Sequence, residues 1–407
     1  MAQWRGWRKY LTVLAFIGPT LLGILIFSIY PILFNTYISF TNRSLYHPNP
    51  DCSVTLTHLL EPTCWPMFQK HAVTGLGTPF HLQKPLFFNY SDLMGTFFTL
   101  PTLIGLLKIL ACFVPLVIAL LINRRMSKDP LRTVPGWLVI GLGLILGGGL
   151  YFALNGTDAF NTMMASSDFF TVFLRTVLFV VVCIPLFFVI GLGLALLLNV
   201  PDLPGRTFFR VILIVPWAAS NVAIMMSLVF RFFFQETGLI NQLLHLLGIQ
   251  PTIFLDSSGW TFLIIVLANV WYSYPFFMVT ILGALQSIPV ELYEAANVDG
   301  ASWWQKLVSI TIPLLRPAVI PLIVLSAIGA GGFQMFGTAW AINQGGPSMG
   351  AGTPGGTDFV MTWAYKQVFQ LQQYGRTGAY AVVIFILLFL GTIASLRVSR
   401  VTQGAYE

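Results

Sequence analysis

Two clusters in this chain combine residue types and spacing that could do chemistry. The first is a short polar break, Glu294-Ala295-Ala296-Asn297-Val298-Asp299-Gly300, followed after nine residues by Ile310-Thr311-Ile312-Pro313. Proline is favoured in the first helical turn, so a helix beginning at Ser287-Ile288-Pro289 fits. Asp299-Gly300 would turn the chain, and a second short helix would end near Pro313. Ala295 and Ala296 are small enough to let the first helix approach another protein closely, and Glu294 offers one charge for an ion pair. The second cluster is Asn269, Trp271, Tyr272, Ser273, Tyr274, Pro275 and Phe276, in the middle of a long apolar stretch. Aromatic faces beside a few hydrogen-bonding groups are what a sugar needs from a cavity. Ser273 and Pro275 would open the helix locally and free backbone carbonyls. A packing stripe with one buried asparagine satisfied across helices is the other reading of the same residues.

The elements that must position these clusters are membrane helices. The 407 residues are 56% hydrophobic and only 9% charged, whereas soluble domains average about 25% charged. Eight apolar stretches are long enough to cross a bilayer, which takes about 20 residues of helix. They lie near Leu11–Phe34, Leu93–Ile122, Val134–Leu154, Phe169–Leu198, Thr207–Phe234, Trp260–Leu285, Leu314–Ile342 and Ala379–Leu396. The expected class is therefore all-α and polytopic. Prolines inside these stretches (Pro101, Pro115, Pro185, Pro216, Pro275) are tolerated where neighbouring helices cover the freed backbone groups. Leu138–Leu150 is glycine-rich, which suits close helix packing or a lipid-facing connector.

Lysine and arginine set the orientation. With the N-terminus inside, thirteen fall on inner segments or the span ends next to them and seven on outer ones, and Lys108 lies deep within a span. Both termini are then cytoplasmic, and the net charge of +7 reflects topology, not nucleic-acid binding. The apolar run after Trp4-Arg5-Gly6-Trp7-Arg8-Lys9 is too long for a cleaved signal and reads as a first span. Cys52 and Cys64 fall in the outer loop, where a disulfide is chemically permitted. His47, His58, His71 and His81 follow no familiar zinc spacing, so no metal site is expected.

Energy coupling is conspicuous by what the spans lack. All fourteen acidic residues and all five histidines fall outside them. Gradient-driven transporters usually carry an ionisable group inside the membrane, and Lys108 is the one offered away from the span ends; a lone lysine there marks an ion path or packs and snorkels. There is no G-x4-G-K-[ST] phosphate loop, and Gly-Lys never occurs. No catalytic constellation can be assembled either, so an enzyme is not expected. A membrane protein of this kind with an alanine-rich polar break should borrow ATP hydrolysis from a partner.

The Glu294–Pro313 segment resembles the EAA signature, EAA-x3-G-x9-I-x-L-P, of membrane subunits of binding-protein-dependent ABC importers, with Ile312 in place of leucine. Leu203-Pro204-Gly205-Arg206, Val215-Pro216-Trp217-Ala218, Gly238-Leu239-Ile240-Asn241 and Gly345-Gly346-Pro347 resemble the maltose-type sugar permeases, and most closely their sugar-binding subunit. The resemblance covers 166–400. It implies the transmembrane domain of a type I ABC importer with a docking loop over 289–313, contributed by Glu294, Ala295, Ala296, Asp299 and Gly300. It also implies a second homologous permease subunit, a cytoplasmic ATPase dimer that binds ATP and Mg, an extracytoplasmic sugar-binding protein and a neutral sugar. This chain itself would hold no cofactor. Sugar-contacting positions of the family fall on Asn269, Tyr272, Ser273 and Phe276, with Ser326 in the next span. The family has a tyrosine at Phe276 and asparagines across Gly329–Phe333, so the sugar can differ: maltose or a maltodextrin, trehalose or a related oligosaccharide. Its large outer domain follows the third span, whereas here the larger loop follows the first. The expected layout is a first span (1–40), an outer loop (41–92), two further spans (93–165), the permease core (166–400) and a cytoplasmic tail (401–407). Alternatives are a permease for another solute, such as glycerol 3-phosphate, or a secondary transporter. A phosphorylated solute would want cations at the cavity, and the spans Trp260–Leu285 and Leu314–Ile342 offer none beyond Arg316 at the start of the second.

Overall fold

The computed structural model describes residues 7–47, 80–97, 99–126, 135–200, 203–218, 222–329, 332–333, 335–350 and 352–403. Among these the regular structure is helical, apart from two isolated bridges, Thr41 to Leu82 and Ser44 to His47. Cys52 and Cys64 lie outside the described residues. Contacts divide the chain into two units, 1–94 with 364–389 and 95–363 with 390–407.

The first unit holds α1 (Trp7–Ile24), a π-helical turn at Leu25–Ile29, α2 (Tyr30–Ile38) and α3 (Phe88–Phe97). Asn89 donates to the carbonyls of Ser39 and Thr41 at 2.8 Å, which ties α3 to the end of α2. The second unit begins with α4 (Leu100–Met126), α5 (Gly136–Ala153) and α6 (Gly156–Ser166). Gly143 and Gly147 set the distance between α4 and α5: a Cβ on Gly147 would stand 2.6 Å from the Cys112 carbonyl. Two of the five glycines therefore serve packing, whereas Gly141, Gly148 and Gly149 meet open space.

The core follows, in α7 (Asp168–Asn199), α8 (Arg206–Ala218), α9 (Val222–Phe233), α10 (Leu239–Leu246) and α11 (Ser258–Leu285). Then come α12 (Val290–Val298), α13 (Trp303–Lys306), α14 (Ile312–Ile328) and α15 (Gly337–Asn343). Helices α16 (Val360–Phe369) and α17 (Tyr374–Gln403) complete the chain, their residues 364–389 belonging to the first unit. Helix α11 is the pillar of this core. It packs along α7, with Phe187 against Phe277 at 5.7 Å and Ile264, Ile265, Met278 and Ile281 fully buried.

Among the described residues, seven helices are long and apolar enough to cross a membrane: Leu11–Ile38, Leu100–Met126, Gly136–Ala153, Asp168–Asn199, Ser258–Leu285, Trp303–Ile328 and Tyr374–Ile393. The remaining expected stretch, Thr207–Phe234, is described as α8 and α9 on either side of residues 219–221, which lie outside the described residues. The expected Leu314–Ile342 span is corrected at both ends. Its helix starts upstream at Trp303 and stops at Ile328. At that end the Phe333 N–H turns back to the Ala327 carbonyl at 2.7 Å.

Candidate functional site

The polar break is a short helix held between two long ones. Pro289 precedes α12 at its N-cap position instead of within the first turn. The helix closes on a paired turn: Gly300 N–H reaches the Asn297 carbonyl at 3.1 Å, and Ala301 N–H the Ala296 carbonyl at 2.9 Å. This Schellman arrangement needs a left-handed residue between them, and Gly300 has φ +70°. Ser302 and Gln305 then form a reciprocal capping box that starts α13.

The second short helix does not end at Pro313, as the sequence suggested. Residues 303–328 run on as one helix through a π-helical turn at Leu307–Thr311. Proline in a helix clashes with the carbonyl four residues back, and the widened turn just before Pro313 relieves that clash. The break is braced internally. Lys306 donates to the Asn297 side chain at 2.7 Å, and the Tyr293 and Thr311 hydroxyls meet at 2.9 Å. A cavity of about 260 Å³ lies beneath, lined by Asn199, Leu285, Tyr293, Lys306 and Thr311 among others.

Glu294, Ala295, Asp299 and Gly300 are exposed, and Ala296 is half-buried. Among the described residues Glu294 makes no hydrogen bond or ion pair. Val290, Glu294 and Val298 follow at i, i+4 and i+8 along one helix face, so one carboxylate stands between exposed valines, Val298 being 89% accessible. Trp303 and Trp304 add two exposed rings with centroids 6.1 Å apart. Exposed apolar surface of this kind marks a place that another molecule covers. The sequence reading missed these residues, and their signal was large apolar side chains in an otherwise polar break.

The mid-span cluster separates into two groups. Asn269 is 1% exposed, and it lies within reach of the Cys183 thiol of α7. Ser273 is buried as well. Tyr272, Phe276 and Ser326 of α14 are half-buried. Phe276 stacks on Trp217 of α8 with centroids 5.5 Å apart and planes 20° apart, and Tyr274 donates to the Leu213 carbonyl at 3.2 Å. Helices α8 and α14 both pack on α11. Pro275 does not open the helix: α11 is unbroken from Ser258 to Leu285.

One ionisable residue in a span was missed. Arg175 stands in the second turn of α7, where its guanidinium donates to the Gly355 carbonyl at 2.5 Å. It feels the charge of Asp358, which is fully buried and accepts from Gly355 N–H at 2.7 Å and from Thr362 Oγ1 at 2.9 Å. Lys108 is therefore not alone in a span. The Arg175 signal was a cation inside an apolar run, hidden because the residue lies near the end of that run.

The galactooligosaccharides transport system permease protein GanP of Bacillus subtilis is 34% identical to this chain over 224 residues, 54% of this chain and 53% of GanP. The chain thus spans about half of that relative's length. The trehalose/maltose transport system permease protein MalF of Thermococcus litoralis is 34% identical over 240 residues, 58% of this chain and 77% of that protein. A chain of the crystal structure of a bacterial alginate ABC transporter in complex with alginate pentasaccharide-bound periplasmic protein aligns at 24% identity and TM-score 0.48, covering 62% of this chain and 85% of that one. Residues 159–403, more than half the sequence, match the binding-protein-dependent transport system inner membrane component family, and the chain belongs to that family.

Proposed function

We propose that this chain is the path-forming permease subunit of an ATP-driven importer for a neutral di- or oligosaccharide. It pairs with a second, homologous permease chain, receives sugar from an extracytoplasmic binding protein, and docks a cytoplasmic ATPase dimer on the EAA segment. ATP and Mg belong to that partner. The observation that carries the reading is the exposed Val290–Glu294–Val298 face, braced by Lys306 and Tyr293 and joined through the Gly300 turn to the Trp303–Ile328 helix. A push on α12 therefore reaches α14 through a stiff element, and α14 packs on α11, which carries Tyr272 and Phe276. Sugar as the cargo is supported by the names of the relatives and by the aromatic and hydroxyl groups half-exposed on α11 and α14. Arg316, the cation nearest these positions on α14, is exposed in the second turn, away from Ser326.

The test is uptake into vesicles reconstituted with both permease chains, the ATPase and the binding protein. Sugar enters only with ATP and all partners, and Glu294→Lys abolishes sugar-stimulated hydrolysis. Uptake by this chain alone under an ion gradient, or normal transport by Glu294→Lys, overturns the assignment.

A further inference from the structure

Lys108 stands eight residues, about 12 Å of helix, into the apolar α4. Leu103, Ile104 and Leu107 around it are exposed on the outside of their unit, as expected of a surface that meets lipid. An ionisable group at such a place is costly unless something polar meets it.

The fold brings polar groups to it and stops short of pairing them. Helix α6 lies directly on α4 because Gly105 has no side chain: a Cβ there would stand 2.8 Å from the Ala159 carbonyl and 3.1 Å from Met163 Cβ. That contact sets the first turn of α6, with Asp158 next to Ala159, beside Lys108 across a cavity of about 350 Å³. Asn155 and Thr162 complete its polar side, and Leu100 and Ile104 form an apolar wall. Lys108 and Asp158 make no ion pair with each other or with any other described residue. Asp158 complements the α6 N-terminus, which leaves Lys108 without a counter-charge.

A cation and an anion held apart over an apolar wall match a zwitterion with an apolar tail. We propose that this cavity binds the headgroup of an aminophospholipid, its phosphate on Lys108 and its ammonium on Asp158, with the acyl chains along the exposed face of α4. A free phosphoamine shares the headgroup chemistry; the apolar wall and the lipid-facing surface favour the lipid. The site is independent of the transported solute and lies outside α11 to α14.

The experiment uses the purified full chain in nanodiscs made with phosphatidylethanolamine or phosphatidylglycerol of identical acyl chains. Lipid retained after transfer to detergent is counted by native mass spectrometry. The wild type retains the ethanolamine lipid about tenfold over the glycerol lipid, the discrimination that one charge-assisted hydrogen bond supplies. Asp158→Asn loses that preference while still retaining lipid, and Lys108→Met retains less of both. Equal retention of the two lipids by the wild type overturns the proposal without recourse to any variant. So does an unchanged lipid profile in both variants. Displacement of the lipid by millimolar phosphoethanolamine places the ligand in solution and overturns the lipid assignment.

Discussion

Replacing Gly300 by valine isolates the turn that closes α12. The residue has φ +70°, and a Cβ built there meets no atom within 4 Å. The penalty is therefore conformational, not steric. A left-handed L-residue costs about 1–2 kcal/mol, and a β-branched one lies at the upper end or beyond. The chain can escape by leaving that conformation, but it then forfeits the Gly300-to-Asn297 and Ala301-to-Ala296 hydrogen bonds, each worth about 0.5–1.5 kcal/mol net. The cheaper of the two routes shifts the closed turn by about 1–2 kcal/mol, a factor of roughly 5–30 in its population. Hydrogen exchange of the peptide covering 296–301 should accelerate by that factor in Gly300→Val, and coupled ATP hydrolysis in the assembled importer should fall with it. Gly300→Asn should stay close to wild type, because asparagine tolerates the left-handed region. The reasoning fails if Gly300→Val exchanges like wild type. It fails equally if Gly300→Asn is as damaging as valine, which would mean that contact, not backbone conformation, sets the requirement.

Two further outcomes follow from the same geometry. Asn269 is buried against Cys183, so Asn269→Ala should lower stability by about 1–3 kcal/mol through the thiol and backbone left behind while half-saturation by sugar changes little. Half-exposed Tyr272 should do the reverse: Tyr272→Ala raises the sugar concentration needed for half-maximal transport at nearly unchanged stability. A shifted half-saturation for Asn269→Ala without destabilisation would reverse these roles.

Much of this protein is written locally. Hydropathy alone dictates an all-α membrane chain, because a backbone in lipid must satisfy its own hydrogen bonds. Asp299-Gly300 is legible as a turn because glycine takes φ near +70° without strain. Long-range packing decided the rest. Nothing near Asn269 in sequence announces that Cys183 will be its partner, and nothing near Arg175 announces a carbonyl 180 residues away. Pro313 reads as a stop until a π-helical turn before it lets one helix run from Trp303 to Ile328. Side-chain periodicity places Tyr272 and Asn269 on neighbouring positions of one helix face, yet α7 covers one and leaves the other open. Burial is a property of the neighbours that arrive, and residue type and spacing carry no record of which neighbour that will be.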